Sequence, residues 1–251
     1  MEWWNGRVKA RVTGTILNVA GILIGGIAGL VRRKPLSPSR ESLFRVTLGA
    51  FTVFYGLRMT WISLNGSVYQ VLKQLLIVVL ALMLGSLTGR LLRLQKLSNR
   101  LGRIAREKIM SARPNDPARA SEGFKTCALL FCAAPLGILG SVQDGLSGYF
   151  YPLGVKAVIE ALATMGFVPV FGWGVMLSAL PVLALQGSIT LACSQFIEPL
   201  LRTHGMVDSV NAAGGLLVFS VALVILDLKK LELANYLPSL VVAPLLTWVS
   251  R

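Results

Sequence analysis

The residues of this chain that could do chemistry lie inside apolar runs, where polar groups are costly. Leu136 to Gly148 reads LGILGSVQDGLSG, so Gln143 and Asp144 close one such run among four glycines. Gln186-Gly-Ser-Ile-Thr190 sets an amide and the hydroxyls of Ser188 and Thr190 beside a glycine in another. Thr15 and Asn18 occur in the first run, Lys156 and Glu160 in a later one, and Asn211 near the end. A charge at the centre of a spanning helix costs about 2.5–3.5 kcal/mol on insertion scales, and orphaned polar groups also cost, so each residue needs a partner or a task. Lys156 and Glu160 stand four apart on one helix face and can form an ion pair. Thr15, Asn18, Gln143, Asp144, Gln186, Ser188, Thr190 and Asn211 suit two roles. One is hydrogen bonding between helices; the other is a path for a small polar solute or a monovalent ion. Asp144, at the carboxyl end of a helix, faces the unfavourable end of the macrodipole and calls for a bound cation or Lys156.

Other chemistries lack their residues. There is one histidine, His204, and Cys127, Cys132 and Cys193 sit in apolar stretches without C-x-x-C spacing. That reads as buried free thiols, no metal site and no cofactor. With few acids and no H-E-x-x-H or Ser-His set, the chain is not expected to be an enzyme.

The elements that must position these residues follow from composition. The chain has 251 residues, is 54% hydrophobic and 14% charged, and has a mean hydropathy of +0.68. These values describe an integral membrane protein whose first partner is the lipid bilayer. Apolar segments of about 18–25 residues recur, the length at which a helix crosses the hydrocarbon, and they lack the alternation of barrel strands. The expected fold is all-α, a polytopic membrane helix bundle of about eight spans: Val12–Val31, Leu43–Ser63, Val71–Leu92, Gly123–Ser141, Leu153–Val170, Gly172–Phe196, Asp208–Leu226 and Ala234–Val249. The fifth and sixth meet at Gly166–Gly174 without a charge between them, as a tight loop or a re-entrant pair.

The net charge of +14 resides mainly between the runs, where it orients the protein rather than binding nucleic acid. Arg32, Arg33, Lys34 and Arg40, the nine basic residues from Arg90 to Arg119, and Lys229 with Lys230 all fall on one side of an eight-span arrangement. That side is the cytoplasm, which leaves both termini extracytoplasmic; Arg7, Lys9 and Arg11 run against the rule. The amino-terminal run is read as a retained span, without a cleavage site. Within the basic stretch, Leu94, Leu97, Leu101 and Ile104 repeat at helical spacing opposite basic residues, as in a helix on an anionic membrane surface. Arg113-Pro-Asn-Asp-Pro117 then breaks the helix.

Gly14-Thr-Ile-Leu-Asn18 and Val46–Phe54 parallel Gly187–Leu191 and Asn211–Phe219. Across eight spans this is an inverted repeat, dividing the chain into a three-span unit (1–95), a basic linker (96–121), two middle spans (122–171) and a second three-span unit (172–251). Pro135, Pro169 and Pro181 mark broken helices. Gly- and Ala-rich faces suggest close packing and a homo-oligomer.

Gly14–Asn18, Gly140-Ser-Val-Gln-Asp-Gly145, Leu185–Thr190, Asn211–Leu217 and Lys229–Pro238, in order along nearly the whole chain, resemble the bacterial inner-membrane family of unknown function that includes YqgA and YdfK. That resemblance implies a multi-span protein of undefined activity, a transporter in the usual description, and lends no site residue. The function expected from the sequence is transport of a small solute or monovalent ion across the bacterial inner membrane. An ion channel, or a scaffold working through the basic loop, is the alternative.

Overall fold

The computed structural model describes residues 12–31, 37–113 and 116–250. Arg7, Lys9, Arg11, Arg32, Arg33 and Lys34 of the charge reading, and Pro114 and Asn115 of the break before the middle spans, lie outside the described residues. Those described form helices and turns, with no strand among them.

The long helices are α1 (Thr13–Val31), α2 (Pro38–Ser63), α3 (Val68–Leu91), α4 (Leu94–Ser111), α7 (Tyr151–Phe171) and α10 (Val207–Ile225). Shorter ones are α5 (Arg119–Cys132), α6 (Pro135–Ser147), α8 (Ala179–Ala192), α9 (Glu198–Thr203), α11 (Leu233–Tyr236) and α12 (Ser239–Val249). Local chemistry sets their ends. Ser67 and Gln70 form a capping box that starts α3, with the Ser67 N–H donating to Gln70 Oε1 at 2.8 Å. Pro135 opens α6 in its first turn, and Gly148, at φ +66°, closes it while Gly148 and Tyr149 N–H groups donate to the Asp144 and Gln143 carbonyls.

Four helical stretches are long and apolar enough to cross a membrane: α1, α3, Tyr151–Thr203 and α10; α5 and α6, bent by 60° at their break, make a fifth if taken together. The eight expected spans are therefore not all long apolar helices. α2 carries Arg40, Glu41, Arg45 and Arg58, and Leu233–Val249 is short. Tyr151–Thr203 is helical throughout, passing through a 3-10 segment at Gly172–Ser178 and a π segment at Cys193–Ile197. Its 53 residues would extend about 80 Å if straight, well over twice the hydrocarbon thickness. The chain instead folds back at Gly172, which holds φ +73°. The contacts with α1 show it: Gly21, Gly25 and Gly29 meet Ala157, Ala161 and Met165 in rising order, whereas Thr15, Asn18 and Gly26 meet Thr190, Gln186 and Met176 in falling order. Thus α7 runs parallel to α1 and α8 antiparallel to it, along most of its length. That answers how the fifth and sixth segments meet: as a tight helical hairpin.

Two further pairs are antiparallel. Gly49, Gly56 and Thr60 of α2 meet Leu226, Phe219 and Ala212 along α10; Lys73, Gly85 and Gly89 of α3 meet Ser250, Ser239 and Asn235 along α11 and α12. Small residues make these crossings close. A Cβ on Gly25 would overlap the Ala161 carbonyl oxygen, and one on Gly89 that of Asn235. Many of the small residues are therefore occupied within one chain, while Gly154 and Gly166 of α7 meet nothing. The outward faces carry exposed Ile24, Leu76, Met83, Leu180 and Phe196, as lipid contact requires.

α4 turns away from α3 at Arg93, a non-glycine residue at φ +56°, and docks on α5 and α11. The Gln95 N–H donates to Asn235 Oδ1 at 3.0 Å, the Ala234 N–H to Gln95 Oε1 at 3.1 Å, and Lys108 pairs with Glu122 at 3.0 Å. Its inward face is centred on Ala105, with Leu94 and Leu101 half-buried, while Leu97 (56%) and Ile104 (38%) stay exposed. The expected apolar stripe is thus split, because polar groups at Gln95 and Ser98 rotate the helix toward the bundle.

Candidate functional site

Seven of the ten singled-out residues meet in one buried network between α1, α6, α7 and α8. At one end the Gly14 N–H, in the first turn of α1, donates to Asp144 Oδ2 at 2.8 Å. One of the amide hydrogens that a helix start leaves unpaired is thereby satisfied by a carboxylate from a different helix, on the favourable end of the α1 dipole. This contact relieves the strain the sequence left open at Asp144. Asp144→Asn keeps an acceptor but loses the charge, so the thermal unfolding midpoint should fall by the equivalent of about 1 kcal/mol. An unchanged midpoint would show that the carboxylate does not hold α1.

One turn along, Thr190 Oγ1 donates to the Ser141 carbonyl at 3.2 Å, so at 3.4 Å the Thr15 hydroxyl is the donor to Thr190. Next, Asn18 Nδ2 donates to Gln186 Oε1 at 3.2 Å, and the same carboxamide faces Glu160. Glu160 forms the predicted ion pair with Lys156, and both are almost wholly buried. Gly137 makes room: a Cβ there would stand 3.1 Å from Lys156 Cε and 3.2 Å from Gln186 Nε2.

The remaining three lie elsewhere. Ser147 Oγ donates to Asn211 Oδ1 at 2.7 Å, joining α6 to α10. Gln143, fully buried, packs against Gly214 of α10, and neither amide atom has a hydrogen-bond partner among the described residues. Ser188 is exposed and donates to its own helix at Leu185 O, 2.9 Å. Of the eight path residues, Thr15, Asn18, Asp144, Gln186 and Thr190 thus share the main cluster, Gln143 and Asn211 lie at the α6–α10 contact, and Ser188 faces outward. Leaving a buried amide unsatisfied costs about 1–3 kcal/mol, so Gln143→Leu should raise stability, read as a later chemical-denaturation midpoint. A lower midpoint would mean that the amide is satisfied in the folded protein.

Sequence reasoning missed Thr164 and Thr126, both buried, whose hydroxyls also lack a partner among the described residues. Thr164 was within reach, since it continues the Lys156, Glu160 spacing by one further turn of α7. A separate cavity of about 620 Å³ lies between α6, α9, α10 and α12, lined by Val142, Leu146, Leu201, Leu240 and other apolar side chains. Its chemistry suits hydrocarbon, not a polar solute. Among the described residues no group of three or more His, Cys, Asp and Glu is placed to hold a metal, and the cysteines are free.

The chain is 28% identical over 236 residues to the uncharacterized membrane protein YdfK of Bacillus subtilis, covering 94% of this chain and 96% of that protein. It is 30% identical over 236 residues to the uncharacterized protein YqgA of Escherichia coli, covering 92% and 94%. No solved structure matches it. The family model described as protein of unknown function DUF554 matches residues 13–248. A membrane protein by composition and by its outward apolar faces, with a buried polar centre between four helices, the chain belongs to the DUF554 family.

Proposed function

We propose that the protein moves a small polar solute or a monovalent ion across the bacterial cytoplasmic membrane, by way of the buried network of α1, α6, α7 and α8. The observation that carries this reading is the network itself. A buried ion pair, two carboxamides and two threonine hydroxyls sit between apolar helices, where packing alone would favour Leu and Val. In this reading the site catalyses no covalent reaction.

The reading takes eight crossings, with α2 and α11–α12 completing the spans that length and composition give. The antiparallel pairing of α1 with α8, α2 with α10, and α3 with α12 supports an inverted repeat, because mates related by an axis in the membrane plane run in opposite directions. It places the basic α4 side in the cytoplasm. Single cysteines at Ser67 and Gly205 should react with an impermeant maleimide from outside the cell, and one at Arg103 only after lysis. Labelling of Ser67 and Arg103 from the same side removes the eight-crossing topology. A monomer mass in detergent by light scattering removes the homo-oligomer.

Transport is tested in proteoliposomes, against panels of monovalent ions and small polar metabolites, beside binding of the same solutes to purified protein. Uptake above protein-free vesicles is expected. Blank panels in both assays overturn the reading and favour a scaffold acting through the basic α4 surface.

A further inference from the structure

We infer that the apolar cavity between α6, α9, α10 and α12 is a binding site for one acyl chain of a membrane phospholipid. It is separate from the polar network, because the two use different faces of α6. Gly137, Ser141 and Asp144 meet the network, whereas Ile138, Val142 and Leu146, spaced four apart on another face, line the cavity. The lining says what fills it. The volume is about 620 Å³, and among the described residues its side chains are aliphatic apart from those of Cys193, His204, Met206 and Trp248. A buried water needs about two to four polar partners, which this lining does not supply. An empty space would forfeit the dispersion contacts of the whole lining. Hydrocarbon restores those contacts and asks for no hydrogen bonds.

Position names the source of the hydrocarbon. α12 lies along α3, a helix long and apolar enough to span, with Ser250 beside Lys73 and Ser239 beside Gly85, so the cavity stands at membrane depth. From Leu237 to Trp248 the helical chain rises about 16 Å, half of a hydrocarbon layer of roughly 30 Å and so the reach of a chain from one leaflet. The cavity opens sideways between α9 and α12. Ile197 and Leu200 on one rim, and Val241, Leu245 and Trp248 on the other, line it and are also exposed outward, where lipid lies. One chain of a phospholipid can therefore enter while its sister chain stays in the bilayer. The two ends differ as the ends of a lipid do. Pairing of α10 with α2 and of α12 with α3 brings the start of α10, the end of α2, the start of α3 and the end of α12 to one face. His204 and Trp248 mark the cavity there, on the face that also carries Lys73, Asp208 and Arg202, which pairs with Glu198. A headgroup belongs at that level, with Trp248 as an interfacial ring. Ile138 and Leu237 lie at the far end, where the chain terminates.

The test is retention of lipid by the purified chain. Native mass spectrometry of protein extracted in dodecyl maltoside and washed free of bulk lipid should show one bound phospholipid per chain. Delipidated protein should regain it on addition of palmitoyl-oleoyl phosphatidylethanolamine or phosphatidylglycerol. Val142→Phe fills the cavity from α6, and Val241→Trp obstructs the rim at a position already exposed to lipid. Each should weaken phospholipid binding at least tenfold, since displacing about two buried methylenes already amounts to that. If Val142→Phe does not fold, Val241→Trp decides alone. Wild-type protein without bound phospholipid, or folded variants that keep as much as the wild type, overturn the site. Free fatty acid or detergent as the sole bound molecule also overturns it, as does a lipid-free dimer, which would seat a second copy against the opening. Loss of this site leaves the transport reading standing, and blank transport panels leave this site standing.

Discussion

Lys156→Met lowers the unfolding free energy by about 3–5 kcal/mol, because it strands the Glu160 carboxylate in the protein interior without its ammonium. Lys156→Met combined with Glu160→Leu recovers most of that loss, since an apolar pair of similar volume needs no solvation. Unfolding of the purified protein in mixed micelles, followed by circular dichroism, gives both numbers. The comparison matters more than either value. A pair kept for stability would leave the double variant as damaged as the single one, whereas a pair kept for function leaves a stable protein that has lost its task. Equal destabilisation of the two variants would place the ion pair in the scaffold.

The second large effect comes from the crossing of α1 on α7. Gly25→Val sets a branched side chain where the Ala161 backbone already lies, and backbone cannot swing aside as a side chain can. Forcing methylenes into such a contact costs about 1–3 kcal/mol or more, and here the helices must separate. That separation pulls Asn18, two turns away on α1, from Gln186 and Glu160. The expected result is a lower unfolding midpoint, a lower yield of monodisperse protein and loss of the site's binding. Gly102→Val is the control, because a Cβ there meets nothing. Matching behaviour of the two variants would show that the close crossing is absent from the folded protein.

How far the sequence reveals this arrangement differs from element to element. The boundaries of α1, α3 and α10 fall within a few residues of the expected spans, since long apolar runs admit little else, and at α3 a capping box fixes the start. The break at Ala133–Ala134 is announced by Pro135, which starts a new helix rather than kinking the old one. By contrast, the return at Gly172 has no charge to mark it, and its direction becomes legible only from contacts with α1. The ion pair is readable from i,i+4 spacing. The partner of Asp144 at Gly14 is not, because a backbone N–H has no residue type. Ser188 and Gln143 show the same limit from another side: one residue of rotation around a helix decides between the interior and the lipid face, and Gly187 beside Ser188 gives no apolar stripe to fix that rotation.

The network between α1, α6, α7 and α8 is claimed as a path for solute, and one comparison meets that claim most directly: flux into proteoliposomes containing the wild-type chain or the Lys156→Met, Glu160→Leu double variant, both first shown to have matching unfolding midpoints. The account predicts uptake of a small polar solute or monovalent ion by the wild type and uptake at the level of protein-free vesicles by the double variant. Equal uptake by both proteins would contradict it.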